Sequence, residues 1–364
     1  MDLSSEILVI GGGVIGLAIA RELRRRGAGR IRVVERGVPG REASWAAAGI
    51  LAPQVEADED GRFFRLCYGS NRMYSDFAGE LFDETSIDIE LDRRGVLYVG
   101  FDGRDETEFE QRFAWQNGAG LKVEKLSSSD IRNLEPNLSD NVRCGLLFPD
   151  DGQVENRRLI EALTAYARAS DIEIVTGIEV KSIASNGESI EIITGSDTYH
   201  AEIVVIATGA WTSLIELGEN AVPVEVKPIR GQMICYRPTD SFSHVVYSKR
   251  GYLVPRADGR LLVGATVEDV GFDKSLTADG IASLRHIASE IAPTLEDLEI
   301  TDQWAGLRPY AFREEPFIGE VRGMKNVFAA VGHYRNGILL APITAKMIAD
   351  RILSAGRAND AVKS

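Results

Sequence analysis

The chain has 364 residues, 44% hydrophobic and 26% charged, enough for two domains with substantial cores and too ordinary in composition for a disordered segment. Its formal net charge of −14 argues against nucleic acid or an anionic membrane as partner, since both require a basic face. Three scattered cysteines, Cys67, Cys144 and Cys235, suit neither a disulfide framework nor zinc-ligand spacing, so no metal is expected.

Met1-Asp-Leu-Ser-Ser5 is too short, and lacks the basic residue, to be the n-region of a secretion signal. No apolar run approaches the roughly 20 residues of a membrane span. The expectation is a soluble, cytoplasmic protein. Ile7 to Ile10 is an unbroken aliphatic run, which suits a strand buried on both faces of a parallel sheet. Gly11, Gly13 and Gly16 follow in G-x-G-x-x-G spacing. The first turns the chain, the second lets a pyrophosphate reach the backbone, and the third lets helix pack on strand. Ile15, Ala18, Ile19 and Leu23 then repeat at helical spacing, which puts phosphates at that helix's N-terminus. A second apolar run, Ile31 to Val34, ends in Glu35, about twenty residues past the glycines, where an acid holds a ribose diol. Alone, the glycine pattern often marks only a tight turn. With strand, helix and acid in place, it reads as a site for a dinucleotide without a 2′-phosphate: NAD or FAD.

After a Gly/Pro loop, Ser44, Ala46, Ala47, Ala48 and Gly49 form a small-residue stretch that something bulky could approach, although composition alone fits a plain alanine-rich helix. Phe63, Leu66, Met73, Phe77 and Leu81 predict a helix over 62–84. Val96 to Val99 reads as a strand, 105–117 as a charged helix, and Ser127 to Asp130 as the N-cap of a short helix ended by Pro136. An amphipathic helix over 157–168 leads to a strand at 172–175. Strands at 190–194 and 203–206 follow, the latter running into Thr208, Gly209 and Trp211 as a second cofactor loop would. Residues 225–270 break into strand-like pieces at 233–236, 251–254 and 261–263, whose antiparallel character marks a second domain. A helix over 281–291, a strand over 327–331 and a last helix to Leu353 complete the order, and the tail 357–364 is expected to fray.

Taken in order, Gly11–Gly16, Val34-Glu35, Ala46–Gly49, Val205–Trp211, Pro228–Gly231, Tyr252–Arg256, Val263–Thr266, Ala305–Pro309 and Gly332–Pro342 carry a family resemblance. The chain resembles the D-amino-acid-oxidase and sarcosine-oxidase class of FAD amine oxidoreductases, most closely the glycine oxidases of thiamine biosynthesis. The blocks span nearly the whole chain, and the last two are specific to this class. The resemblance implies an α/β fold: a Rossmann-like FAD domain (1–84, 150–224, 306–364) interrupted by a substrate domain (85–149, 225–305) with a mainly antiparallel sheet. FAD should be non-covalent, because no cysteine stands at 305–325, where flavinylated relatives carry one.

The resemblance also assigns residues. Gly11, Gly13, Val14, Ile15, Gly16, Glu35 and Arg36 are expected to bind FAD, with Ser44, Ala46, Ala47, Ala48 and Gly49. Val180, Thr208, Gly209 and Trp211 join them, as do His333, Tyr334, Arg335, Asn336, Gly337 and Ile338, where a helix start faces the flavin. Arg308, denied helical geometry by Pro309, is expected to clamp the substrate carboxylate; outside the motif it would read as a solvated surface arginine. Tyr252 is the expected hydroxyl partner of that carboxylate, or else a core aromatic, and Arg335 assists. Ile50, Arg250, Val267 and Tyr334 are expected to line the substrate pocket. If Arg250 and Val267 both face it, the pocket should take a second acidic group, as in an N-substituted glycine or an acidic D-amino acid. A solvent-facing Arg250 beside Lys249 is the alternative.

The implied reaction oxidises an amino acid's Cα–N bond, with hydride passing to flavin, imine hydrolysis to oxo-acid and ammonia, and oxygen returning as hydrogen peroxide. Orientation carries it, so none of the four histidines is assigned as a base. The expected partners are a small amino acid or amine and molecular oxygen, in a homo-oligomer that supplies imine for thiamine thiazole synthesis. Two readings stay open beside it: an FAD-dependent D-amino acid dehydrogenase with a non-oxygen acceptor, and a flavin-binding sensor without activity.

Overall fold

The computed structural model describes residues 3–185, 189–238, 242–312 and 315–363, with side chains through residue 354. The first of two large sheets has nine strands. Its centre is parallel, in the order Val327–Val331, Thr198–Ile206, Ser4–Ile10, Ile31–Glu35 and Glu173–Thr176. Leu8, Val9, Val33, Val204 and Val205 are fully buried, as a strand covered on both faces requires. One face packs on the helices Val14–Arg25, Arg62–Thr85, Asn156–Ala169 and Gly337–Lys363 through Leu17, Tyr74, Leu163 and Leu340. The antiparallel strands Val180–Ser185 and Ile190–Thr194 contribute Ile183 and Ile192 to the core on the other face.

The second sheet has eight strands, in the order Asp302–Ala311, Val226–Tyr236, Leu261–Gly264, Tyr252–Pro255, Val245–Tyr247, Val96–Gly100, Cys144–Phe148 and Glu124–Ser127. Only the contact between Val245–Tyr247 and Val96–Gly100 is parallel. Leu284, Ala288 and Ile291 of the helix Ala278–Ile291 cover one face. Met233, Tyr252 and Trp304 on the other face meet Ala46 and Ala48. Two polar bonds strengthen this contact. The Trp304 indole donates to Ala46 O at 3.0 Å, and the buried Arg256 donates to Ala48 O at 2.8 Å.

Three expectations change. The piece expected at 233–236 is the end of an eleven-residue strand, because Pro228, Arg230, Gly231 and Gln232 interrupt its apolar pattern. Asp302–Ala311 pairs with that strand from Cys235↔Asp302 to Val226↔Ala311. The boundary expected at 305/306 therefore falls inside one strand of the second sheet, and this strand carries Arg308. Pro309 faces Pro228 across the pair, and neither has an N–H to contribute. The last helix runs to Lys363; the tail expected to fray belongs to residues whose side chains lie outside those described.

Candidate active site

A cleft with about 1980 Å³ of empty space, part of it open to solvent, separates the parallel sheet from the antiparallel one. At one end the first strand turns at Gly11, whose φ of +107° a side chain rarely adopts and where an added Cβ would overlap Ala207 O. Gly16 does not line the cleft; it lets the helix press against Gly11 O. The helix begins at Val14 with Gly13 as N-cap and no capping side chain, which leaves its positive end to the cleft. Ser44 supports that end, accepting the Val14 N–H at 3.0 Å. Glu35 accepts the N–H groups of Gly12 and Gly37, each at 2.8 Å, which fixes the carboxylate at the expected ribose position. Arg36 lies 3.6 Å over the Trp211 ring, and Val180, Thr208 and Gly209 line the same end. A helix start whose first N–H alone is taken by a side chain, with the side-chain-free Gly11 and Gly13 on the cleft wall beside it, fits the phosphates of a dinucleotide.

Midway along, Ala46, Ala47, Ala48, Gly49 and Ile50 line the wall opposite a second helix start, Asn336-Gly337-Ile338. Pro342 lies in that helix's second turn and cannot donate to Ile338 O; the buried Tyr74 hydroxyl donates instead. Ser70 likewise donates to Leu339 O at 2.6 Å. This helix N-terminus is thus held against the cleft from outside the expected motif. His333 lies behind it, buried, its Nε2 3.0 Å from Thr344 Oγ1. Burial pushes its ring pKa down to about 3, so it stays neutral near neutral pH. The folded value lies below the roughly 6.5 of an unfolded histidine, so the stability it contributes is full above that pH and is lost as pH falls toward 3. Thermal melts from about pH 7.5 to pH 5 should show a shallower acid-side loss for His333→Asn than for the wild type; equal slopes would remove His333 as the cause.

The other end lies under the antiparallel sheet. Arg308 Nη1 donates to Thr266 O at 3.0 Å and to Arg230 O at 3.5 Å. Among the described residues no carboxylate lies within ion-pair distance of it, and it lines the cleft. Gly231 makes the space, since an added Cβ would overlap the guanidinium. Gly231→Ala should therefore displace Arg308 and raise KM on the order of 10-fold, from the ~1–3 kcal/mol of an overpacked contact. Steady-state kinetics checks this, and an unchanged KM would show that the guanidinium has room to spare.

Tyr252 is buried against Gly264, and its hydroxyl lies 3.9 Å from Met233 Sδ. Its ring stacks on Tyr247, with centroids 6.1 Å apart. Tyr334, with its N–H on Pro309 O at 2.9 Å, sets its ring edge-on to Tyr310. Arg335 differs from Arg308 in being compensated. It donates to Tyr247 Oη at 3.0 Å and lies 3.5 Å from Glu56 Oε1, while Tyr247 Oη donates to Glu56 at 3.2 Å.

The structure brings all the expected cofactor residues except Gly16 to the cleft wall, together with Arg308, Tyr252, Arg335, Ile50 and Tyr334. It places two expected pocket residues elsewhere. Arg250 sits in a turn where the Ser248 hydroxyl accepts its N–H, pairs with Glu290 at 2.5 Å and lies 4.5 Å over the Phe101 ring. The turn breaks the alternation that would have put it on Tyr252's face. Val267 is 58% exposed, because the neighbouring Thr266 turns its hydroxyl inward to Gln232 and Glu268 and Val267 points the other way. Glu56, Tyr247, Met233 and Gly231 line the cleft without being anticipated. Glu56 belongs to the acidic run 56–60, which reads as solvated loop; only Gly231, inside a quoted motif, carried a signal.

Such a two-sheet frame, with a strand–glycine–helix turn, a fixed acid and two helix starts along one cleft, is that of a dinucleotide-binding protein. The chain belongs to the FAD dependent oxidoreductase family, whose sequence pattern matches residues 6–351. It is 37% identical, over 97% of its length, to the bifunctional protein ThiO/ThiG of Synechocystis sp., and it spans about half (52%) of that longer relative. The glycine oxidase of Geobacillus kaustophilus is 34% identical over 95% of this chain and 92% of its own. The crystal structure of that species' glycine oxidase superposes with a TM-score of 0.91 at 32% identity, covering 96% of this chain and 94% of the other. Among the described residues no helix is long and apolar enough to cross a membrane.

Proposed function

We propose that this chain is an FAD-dependent oxidase of glycine and closely related small amines. The observation that carries the reading is Arg308, a cleft-facing guanidinium that touches carbonyls and no described carboxylate, and so stands ready for an anion. When bound, FAD supplies the hydride acceptor and the route to oxygen. The chain's own part is orientation. Arg308 takes the substrate carboxylate in a planar fork, and the Tyr252 hydroxyl, whose one polar contact among the described residues is the Met233 sulfur at 3.9 Å, adds a second bond. Neutral His333 is no acid near neutral pH, and the substrate amine loses its proton to solvent.

Stacked Tyr247 and Tyr252 with Met233 crowd the space beside Arg308, which favours a substrate without a large side chain. With Arg250 held by Glu290 and Arg335 compensated by Glu56, no uncompensated cation besides Arg308 stands at the substrate end among the described residues to support a second acidic group. Assays of peroxide formation with glycine, sarcosine, D-alanine and iminodiacetate test the reading. Glycine and sarcosine should lead, and a preference for iminodiacetate would overturn the pocket assignment. The three cysteines are absent from the cleft wall, which supports non-covalent FAD, and acid precipitation should leave the flavin in the supernatant. The domain division at the cleft, the homo-oligomeric state, a cytoplasmic location and supply of imine to thiamine thiazole synthesis belong to the same proposal.

A further inference from the structure

Behind Arg308 lies an ion pair outside the cleft wall. Arg230, 3% exposed on the strand Val226–Tyr236, and Glu268, on the loop after Leu261–Gly264, exchange backbone N–H and C=O bonds at 2.9 and 3.0 Å. Their side chains meet as well. Arg230 Nε and Nη2 donate to Glu268 Oε2, while Nη1 donates to Asp273 Oδ2 at 2.9 Å. The other carboxylate oxygen of Glu268 accepts from Gln232 Nε2 at 2.8 Å and from the Thr266 hydroxyl. That hydroxyl in turn accepts the Gln232 backbone N–H at 2.8 Å. Thr266 is therefore clasped on both sides. Its carbonyl and that of Arg230, the two ends of the clasp, are the acceptors that hold Arg308 Nη1. Burial pushes the Glu268 carboxyl up, but hydrogen bonds from Thr266, Arg230 and Gln232 and the Arg230 charge hold it below the usual range.

We propose that Glu268 is a positioning residue: with Arg230 it fixes the Thr266 carbonyl and so sets the Arg308 guanidinium for a carboxylate-bearing substrate. The inference rests on Arg308 as the carboxylate clamp. The clasp also neutralises Arg230, which leaves Arg308 the uncompensated cation of the pair. A purely electrostatic role for Glu268 predicts the opposite sign, since removing its charge would make the pocket more positive and tighten anion binding.

Holoenzymes of Glu268→Gln and Thr266→Val, alone and combined with Arg308→Ala, separate these roles. The readouts are KM and kcat for glycine and the Kd of acetate, a carboxylate without an amine, followed by flavin absorbance. Flavin content and melting temperature report folding. KM and acetate Kd should rise on the order of 10-fold in Glu268→Gln, as expected for coupling through a shared network, with kcat within about twofold. Thr266→Val should move the same quantities in the same direction, and neither change should add to the effect of Arg308→Ala. Unchanged or tighter acetate binding in both single variants would overturn the positioning role, as would an equal effect in the Arg308→Ala background. If Glu268→Gln fails to retain FAD, Thr266→Val decides by the same criteria. Wild-type acetate binding by Arg308→Ala would instead remove the clamp itself, and the positioning role with it.

Discussion

Arg308→Ala should lower kcat/KM for glycine by an amount equivalent to about 2–5 kcal/mol, the usual cost of removing one partner from a desolvated charged pair. The loss should fall mainly on KM. The clamp is used in ground state and transition state alike, and only the part that aligns Cα acts on kcat. Arg308→Lys should recover a fraction, because an ammonium replaces the charge but not the fork. The local fold should survive, since Arg308 contributes two bonds to carbonyls and is only half-buried. Wild-type kinetics for Arg308→Ala, with FAD content and melting temperature unchanged, would remove the carboxylate clamp from the account.

The second large effect is expected at Gly11. Its φ of +107° and the overlap an added Cβ would make with Ala207 O leave no accommodation for a side chain where strand meets helix. Gly11→Val should emerge nearly free of flavin, read as a loss of visible absorbance per mole of protein. Glu35→Gln should be milder. It keeps an oxygen for one of the N–H groups of Gly12 and Gly37 while losing the charge, so FAD affinity should fall on the order of 10- to 100-fold, from the ~1.5–3 kcal/mol of a charge-assisted bond. A Gly11→Val variant that retained a full complement of FAD would mean that the turn is not what admits the cofactor.

The end of the cleft at the glycine turn was legible because its parts are local: Ile7–Ile10, Gly11–Gly16 and Glu35 lie within one βαβ unit, whose spacing is fixed by backbone geometry. The substrate end was legible only through motifs, because Arg308, Tyr252 and Arg335 come from three separate segments that the sheet and the last helix bring together. Arg250 and Val267 show why counting from a motif fails there. Alternation holds along a strand, but the Ser248 turn and the Thr266 clasp reset which way a side chain points. Tyr74 shows the converse. Nothing near residue 74 signals the cleft, yet its hydroxyl satisfies the carbonyl that Pro342 leaves without a donor.

The central claim is that this chain moves hydride from a small amino acid to bound flavin and then electrons to oxygen. Anaerobic addition of glycine to the purified yellow protein, followed by air, tests it most directly. The flavin's visible band should bleach with glycine and return on aeration with release of hydrogen peroxide. Bleaching that air does not reverse would contradict the oxidase, and a band that no amino acid bleaches would contradict the enzyme.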